Sequence, residues 1–203
     1  ISKEDEIEIE RIKKWFDNKK FVPYSNTNPR GLIDVVKHAM LICPPWIRLP
    51  RIVRDIPLSY IVAGNKCVNM RQVIDQEINL SPNIMTHDIR SREIGRNNNY
   101  DFNKSKYTYR TYKSLNSTEY FISLESIDKK AIYGFIRLRI PHTKHNPVFN
   151  SIKNTGLIRE LHVYNNIVPV GAGKVFKHNR TTQHRGVGKR LLKIAEYISW
   201  CHN

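Results

Sequence analysis

Along the first eighty residues the hydrophobic positions recur with a helical period. Ile7, Ile9, Ile12, Trp15 and Phe16 punctuate a charged run and predict a helix over 7–16. Leu32, Val35, Val36, Ala39 and Met40 predict a second over 31–41, which Cys43-Pro44-Pro45 must end because a proline donates no helical hydrogen bond. Residues 68–78 predict a third. Between the last two, Ile47, Leu49, Ile52 and Val53 interleave with Arg48, Arg51 and Arg54, the pattern of a strand with a basic rim over 46–56. Beyond 79–88 the signals become those of strands, predicted over 107–112, 120–127, 131–140 and 157–164, with Asp128-Lys129-Lys130 as a tight turn. A loop over 171–182 and a helix over 187–200 close the chain. Helices with a strand come first and a strand meander feeding one helix follows, so the fold class expected is α/β (α+β). The expected division is 1–80, a linker at 81–99, and 100–203.

Composition narrows the setting. The 203 residues are 40% hydrophobic, enough for one good core or two modest ones. No apolar run approaches the roughly 20 residues of a membrane helix and no signal peptide is visible, so a soluble, cytoplasmic protein without a membrane partner is expected. The chain begins with Ile, and a piece of a longer protein is expected. Cys43, Cys67 and Cys201 lie far apart without metal-ligand spacing, which argues against a disulfide framework and a cysteine-based metal site.

Charge adds a partner class. The net charge is +16, yet the first ten residues hold five acids and one lysine, leaving 33 basic and 13 acidic side chains on the rest. Such an excess favours a polyanion, because Lys and Arg that meet phosphates release condensed counterions. Tyr100, Tyr107, Tyr109 and Tyr112 interleave with Lys104, Lys106, Arg110 and Lys113, combining stacking surfaces with phosphate-binding charge, although core-facing alternation in a strand yields the same pattern. Arg48, Arg51, Arg54, Arg90, Arg92 and Arg96 form a second basic group suited to RNA.

The most specific chemistry lies near the end. In Gln183-His184-Arg185-Gly186-Val187-Gly188 two glycines stand where a loop enters the amphipathic helix of Leu191, Leu192, Ile194, Ala195 and Ile198. Glycine lets a phosphate approach the backbone, and the first helical N–H groups lack internal partners, so this is an anion site. Seven basic residues and no acids occupy 171–193. An ordinary glycine turn before a helix has the same local spelling.

Order along the chain carries the argument further. The strand Leu157-Ile158-Arg159-Glu160-Leu161-His162-Val163-Tyr164, then Val168-Pro169-Val170, then the glycine loop and helix, resembles the acetyl-CoA grip of the GNAT acetyltransferases. The wording Arg159-Glu160-Leu161-His162-Val163-Tyr164 is similar to that of the Elongator catalytic subunit family. So are Pro44-Pro45-Trp46-Ile47-Arg48, Arg54-Asp55-Ile56-Pro57 and Asp88-Ile89-Arg90-Ser91-Arg92-Glu93-Ile94-Gly95.

The resemblance implies the C-terminal part of a radical-SAM partial barrel followed by a GNAT domain lacking its own C-terminal part. It implies 5-carboxymethylation of the wobble uridine (U34) of tRNA, with acetyl-CoA as carbon donor, tRNA as partner and Elongator-like partner subunits. Glu160, Leu161, His162 and Val163 would line the pantetheine arm, and Gln183, Gly186, Val187, Gly188, Lys189 and Arg190 the pyrophosphate. Glu160 or His162 would be the base near the thioester, if either is more than an alternating strand position. S-adenosylmethionine and an iron–sulfur cluster are expected only if a further N-terminal part supplies the three-cysteine motif. Relatives' zinc-binding cysteine positions are Thr86, Asp88 and Ser91 here, beside His87, so no metal is expected. The rival expectations are a non-catalytic homologue that binds tRNA or a partner, and a stand-alone GNAT enzyme acetylating a lysine or amine.

Overall fold

A computed structural model describes residues 2–53, 56–81, 84–94, 100–142, 149, 152–153, 155–164 and 186–202. Arg54, Asp55, Gly95, Arg96, the Val168-Pro169-Val170 segment, the loop 171–182 and Gln183 to Arg185 lie outside the described residues. The chain divides into two compact units, Ile1–Cys43 with Leu49–Thr86, and Pro44–Arg48 with His87–Asn203.

The first unit is helical. α1, Lys3–Asp17, opens on a capping box in which the Asp5 N–H donates to Ser2 Oγ at 3.1 Å and the Ser2 N–H donates to the Asp5 carboxylate at 3.0 Å. Glu4, Asp5 and Glu6 complement the positive end of its dipole. A short α2, Tyr24–Thr27, leads into α3, Pro29–Ile42, which carries proline in its first turn and is capped by Asn28, accepting from the Gly31 N–H at 2.7 Å. α4 is Met70–Asn79. Met40, Met70, Ile74 and Ile78 form the core, with Leu32, Val36, Leu49, Ile52 and Val53 packed around it. Glu77 ties α4 to α3 by accepting from Arg30 at 3.0 Å and Lys37 at 3.1 Å.

The strand expected over 46–56 does not form: its described residues have no strand partner. Pro44, Pro45, Pro50 and Pro57 remove the donors a ladder needs. The apolar side chains that suggested alternation serve as irregular packing instead, Leu49, Ile52 and Val53 against the first core and Trp46 in the second unit.

The second unit is a four-stranded antiparallel meander in the order β1-β2-β3-β4, with β1 Ser105–Ser114, β2 Ser117–Ser126, β3 Ile132–Pro141 and β4 Leu157–Val163. The turn after β2 is built by Asp128, whose carboxylate accepts from Ser126 Oγ at 2.5 Å and the Lys130 N–H at 3.1 Å, with Lys129 left-handed at φ 62°. Each face has its own core. Ile122, Leu124, Ile136 and Leu138 meet Val187, Leu191 and Ala195 of α6, Val187–Cys201. Phe121, Ile132, Phe135 and Tyr164 meet Ile89 of the short α5, Ile89–Arg92, with Trp46 and Tyr112 beside them. Residues 87–94, which pattern alone puts in a linker, are part of this unit.

A buried ionic network holds that second face. Glu125 is fully buried and accepts from Ser123 Oγ at 2.7 Å and from both Arg110 Nη atoms at 2.7 and 2.9 Å. Arg92, also buried, lies 3.1 Å from the same carboxylate and donates to the Pro45 carbonyl at 2.6 Å and the His87 carbonyl at 2.8 Å. One carboxylate thus fixes β1, the 44–48 segment and α5 on β2. Burial pushes the Glu125 carboxyl up, but Arg110, Arg92 and Ser123 together outweigh it and hold it below the ordinary glutamate range. A depressed folded-state value stabilises above the unfolded glutamate range and ceases to as pH falls through the lowered value. Glu125→Gln, which leaves two guanidinium groups without their counter-charge, is expected to cost about 3 kcal/mol in urea unfolding at neutral pH and to flatten the acid limb of the stability curve.

Candidate functional site

α6 begins in an unusual way. Its N-cap, Gly186, is left-handed at φ 75°, ψ 14°, a conformation glycine takes at no steric cost, and no side chain caps it. The first turn closes when the Arg190 N–H donates to the Gly186 carbonyl at 2.9 Å, which leaves the N–H groups of Val187, Gly188 and Lys189 without intrahelical acceptors. No acid stands in this turn; Lys189 and Arg190 do, both exposed, so its charge is the reverse of the acidic opening of α1. Arg190 lies over the Tyr107 ring at 5.6 Å. A concentration of N–H donors and cations at one helix end suits an anion.

Beside it runs β4, which among the described residues is paired on one side only, with β3. Val187 buries its side chain in the core beneath α6. A Cβ on Gly188 would stand 3.6 Å from Val163 Cγ2, so the helix start and the end of β4 are neighbours. The pairing of β4 with β3 slips between Arg137 and Leu138, leaving Arg159 without a partner, a β-bulge. Past the bulge the His162 carbonyl lies close to Gly134 on β3 and the Tyr164 N–H donates to the Tyr133 carbonyl at 2.9 Å. By strand alternation the main-chain groups of Leu161 and Val163 face the edge that is unpaired among the described residues.

The expected site residues separate into distinct surroundings. Glu160 and His162 lie on the sheet face opposite α6. The Glu160 carboxylate accepts from Arg137 Nε at 2.8 Å, and the His162 ring stands 4.3 Å from that of Tyr164 and 6.1 Å from that of Phe135. Leu161 is half-exposed and Val163 packs against the α6 core. Gly186, Val187, Gly188, Lys189 and Arg190 converge at the head of α6; Gln183 is outside the described residues.

In the basic groups, Arg92 and Arg110 are engaged by Glu125, and Arg48 donates to Glu93 at 2.6 Å, a hydrogen bond that raises its pKa. Arg51 is exposed in the first unit, and Arg90 half-buried in the second. Lys104, Lys106 and Lys113 are exposed, the last two on opposite faces of β1 because an odd number of positions separates them. Tyr109 is the exposed ring among the four interleaved tyrosines; Tyr112 stacks on Trp46 at 4.9 Å, and Tyr100 and Tyr107 pack against the α6 core. Arg54 and Arg96 are outside the described residues.

Sequence reasoning missed Glu119, Arg137 and Arg139, which join Arg159 and Glu160 in an ionic row across the sheet. Their signal is cross-strand register, which no local spacing reveals.

The thiols do not fit an iron–sulfur cluster. Cys43 is buried and Cys67 half-buried in the first unit, while Cys201 is exposed on α6 in the second. Among the described residues no group of three or more His, Cys, Asp or Glu side chains is placed to hold a metal. Ser91 donates to the Asp88 carboxylate. No helix among the described residues is long and apolar enough to cross a membrane.

Residues 10–79 match the Radical_SAM C-terminal domain. The chain is 33% identical over 182 residues to Elongator complex protein 3 of Schizosaccharomyces pombe, covering 87% of this chain and 32% of that protein. It is 33% identical over 195 residues to the tRNA uridine(34) acetyltransferase of Dehalococcoides mccartyi, covering 93% and 39%. Among solved structures it is similar to the archaeal Methanocaldococcus infernus Elp3 with an N-terminal deletion, with a TM-score of 0.73, 28% identity, and 92% of this chain and 43% of that one covered. The chain thus spans between about a third and two fifths of the length of these curated relatives.

The two glycines of the helix start have separable roles. Gly186→Ala is expected to cost about 1 to 2 kcal/mol in thermal unfolding, the price of a left-handed L-residue. Gly188→Ala is expected to stay within about 0.5 kcal/mol of the parent, because its Cβ meets only Val163 at ordinary contact distance.

Proposed function

The chain belongs to the family of Elongator complex protein 3 and the tRNA uridine(34) acetyltransferases, and from that premise we propose that its second unit binds acetyl-CoA for modification of the wobble uridine of tRNA. The observation that carries this reading is the left-handed Gly186 heading α6 beside the edge of β4 that is unpaired among the described residues. The uncapped N–H groups of Val187, Gly188 and Lys189 take the pyrophosphate, with Lys189 and Arg190 adding charge. The outward main-chain groups of Leu161 and Val163 accept and donate along the pantetheine arm, as an added strand would. The tRNA assignment rests on the relatives' names and on the basic excess, for which Lys104, Lys106, Lys113 and Tyr109 remain exposed. Of the two base candidates, Glu160 is engaged by Arg137 in an ion pair, whereas His162 makes no ion pair among the described residues. Carbon-radical chemistry requires cysteine ligands that this chain's three thiols do not supply.

Calorimetric titration with acetyl-CoA tests the cradle. Gly186→Asn and Gly186→Asp differ by one negative charge while both side chains tolerate the left-handed conformation. The Asp variant is expected to bind acetyl-CoA at least about tenfold more weakly than the Asn variant. Equal affinities would refute the cradle. Acetyl-CoA hydrolysis stimulated by tRNA is expected for the full reading; hydrolysis indifferent to tRNA, with transfer to a free amine, would point to a stand-alone acetyltransferase.

A further inference from the structure

We infer that Glu119 is a positioning residue for the acetyl-CoA site: through Arg159 it holds the bulge that sets the course of β4, and so the edge on which the pantetheine arm is laid. The inference rests on the acetyl-CoA reading above. Arg159, the unpaired residue of the bulge, passes β3 and donates from Nη1 to Glu119 Oε1 on β2 at 2.9 Å. Arg139, on the intervening strand, lies 3.1 Å from the same oxygen through Nε and donates to Ser117 Oγ at 2.8 Å. Three adjacent strands are therefore tied at the level of the bulge by one carboxylate oxygen.

The chemistry of that carboxylate is not what stability alone would select. Its side chain is 1% exposed, while those of Arg139 and Arg159 are 35% and 45% exposed. Glu119 Oε2 is buried and meets no hydrogen-bond donor among the described residues. A carboxylate desolvated on both oxygens and satisfied on one is an expensive way to hold a sheet together. It is a direct way to fix one register where a one-residue slip would turn the side chains beyond it to the opposite face. Here those residues are Leu161, His162 and Val163, and the register they hold puts Val163 against α6 and His162 on the far face. Arg137 and Glu160, paired at 2.8 Å just past the bulge, continue the same row.

The test compares two ligands. CoA spans the head of α6 and the β4 edge; adenosine 3′,5′-bisphosphate has no pantetheine arm and depends on the anion site alone. Glu119→Gln is expected to weaken CoA about tenfold, the worth of a charged hydrogen bond, and to leave the bisphosphate within about twofold. Arg159→Met, made at the half-exposed partner so that folding is not at stake, is expected to show the same split, and Arg159→Lys to recover most of the lost CoA affinity. Unchanged CoA affinity in both Glu119→Gln and Arg159→Met, or equal weakening of both ligands, overturns the inference. A parent protein that binds neither ligand overturns the acetyl-CoA reading and this inference with it.

Discussion

The second unit depends on Glu125. Its carboxylate pairs with both Arg92 and Arg110, and it is buried together with Arg92 while Arg110 is half-buried. Breaking such a cluster leaves an uncompensated charge in a low-dielectric interior, so the segments it joins stand or fall as one. The 44–48 segment, whose prolines deny it a ladder, is held by the Arg92 bond to the Pro45 carbonyl, the Ile89 N–H bond to the Ile47 carbonyl at 2.9 Å, and the Trp46–Tyr112 stack. Irregular chain is thereby fixed almost as firmly as a strand.

With that face occupied, α6 covers the other, and β1 and β4 are the edge strands among the described residues. The ligand reading takes the β4 edge because the head of α6 lies beside it. An uncovered strand edge is normally a liability for aggregation, and here the half-exposed Leu157, Ile158 and Leu161 add apolar surface to it. In the proposed reading an extended ligand arm covers it, and the liability becomes a binding edge. The bulge at Arg159 and the ionic row beneath it give that edge a defined course.

The basic surplus divides under the same physics. Arginines placed on the sheet faces are consumed by buried or half-buried carboxylates, while lysines at the β1 edge stay in solvent. Guanidinium groups lose less on desolvation and fit a carboxylate with two parallel bonds, as Arg110 does on Glu125. Net charge is therefore a poor guide to which cations meet a polyanion, because the long-range field counts all of them and contact counts only the unpaired.

Much of the architecture was legible in the chain itself. Period and punctuation located α1, α3, α4, the four strands and α6 to within a few residues, since burial on one face writes the period of each element into its sequence. The glycine spacing ahead of Leu191 marked the helix start, because a left-handed N-cap without a side chain needs glycine. The strand expected over 46–56 shows the limit: alternation there reflected packing of irregular chain, and the prolines were the better guide. Only the tertiary structure decided which charges pair. Glu119 with Arg139 and Arg159, or Glu125 with Arg92 and Arg110, are separated by 15 to 40 positions and meet because strand register and two bulges bring them into one row. Local propensity carries no information about register across a sheet; it is set by the simultaneous burial of both faces, which no single segment contains.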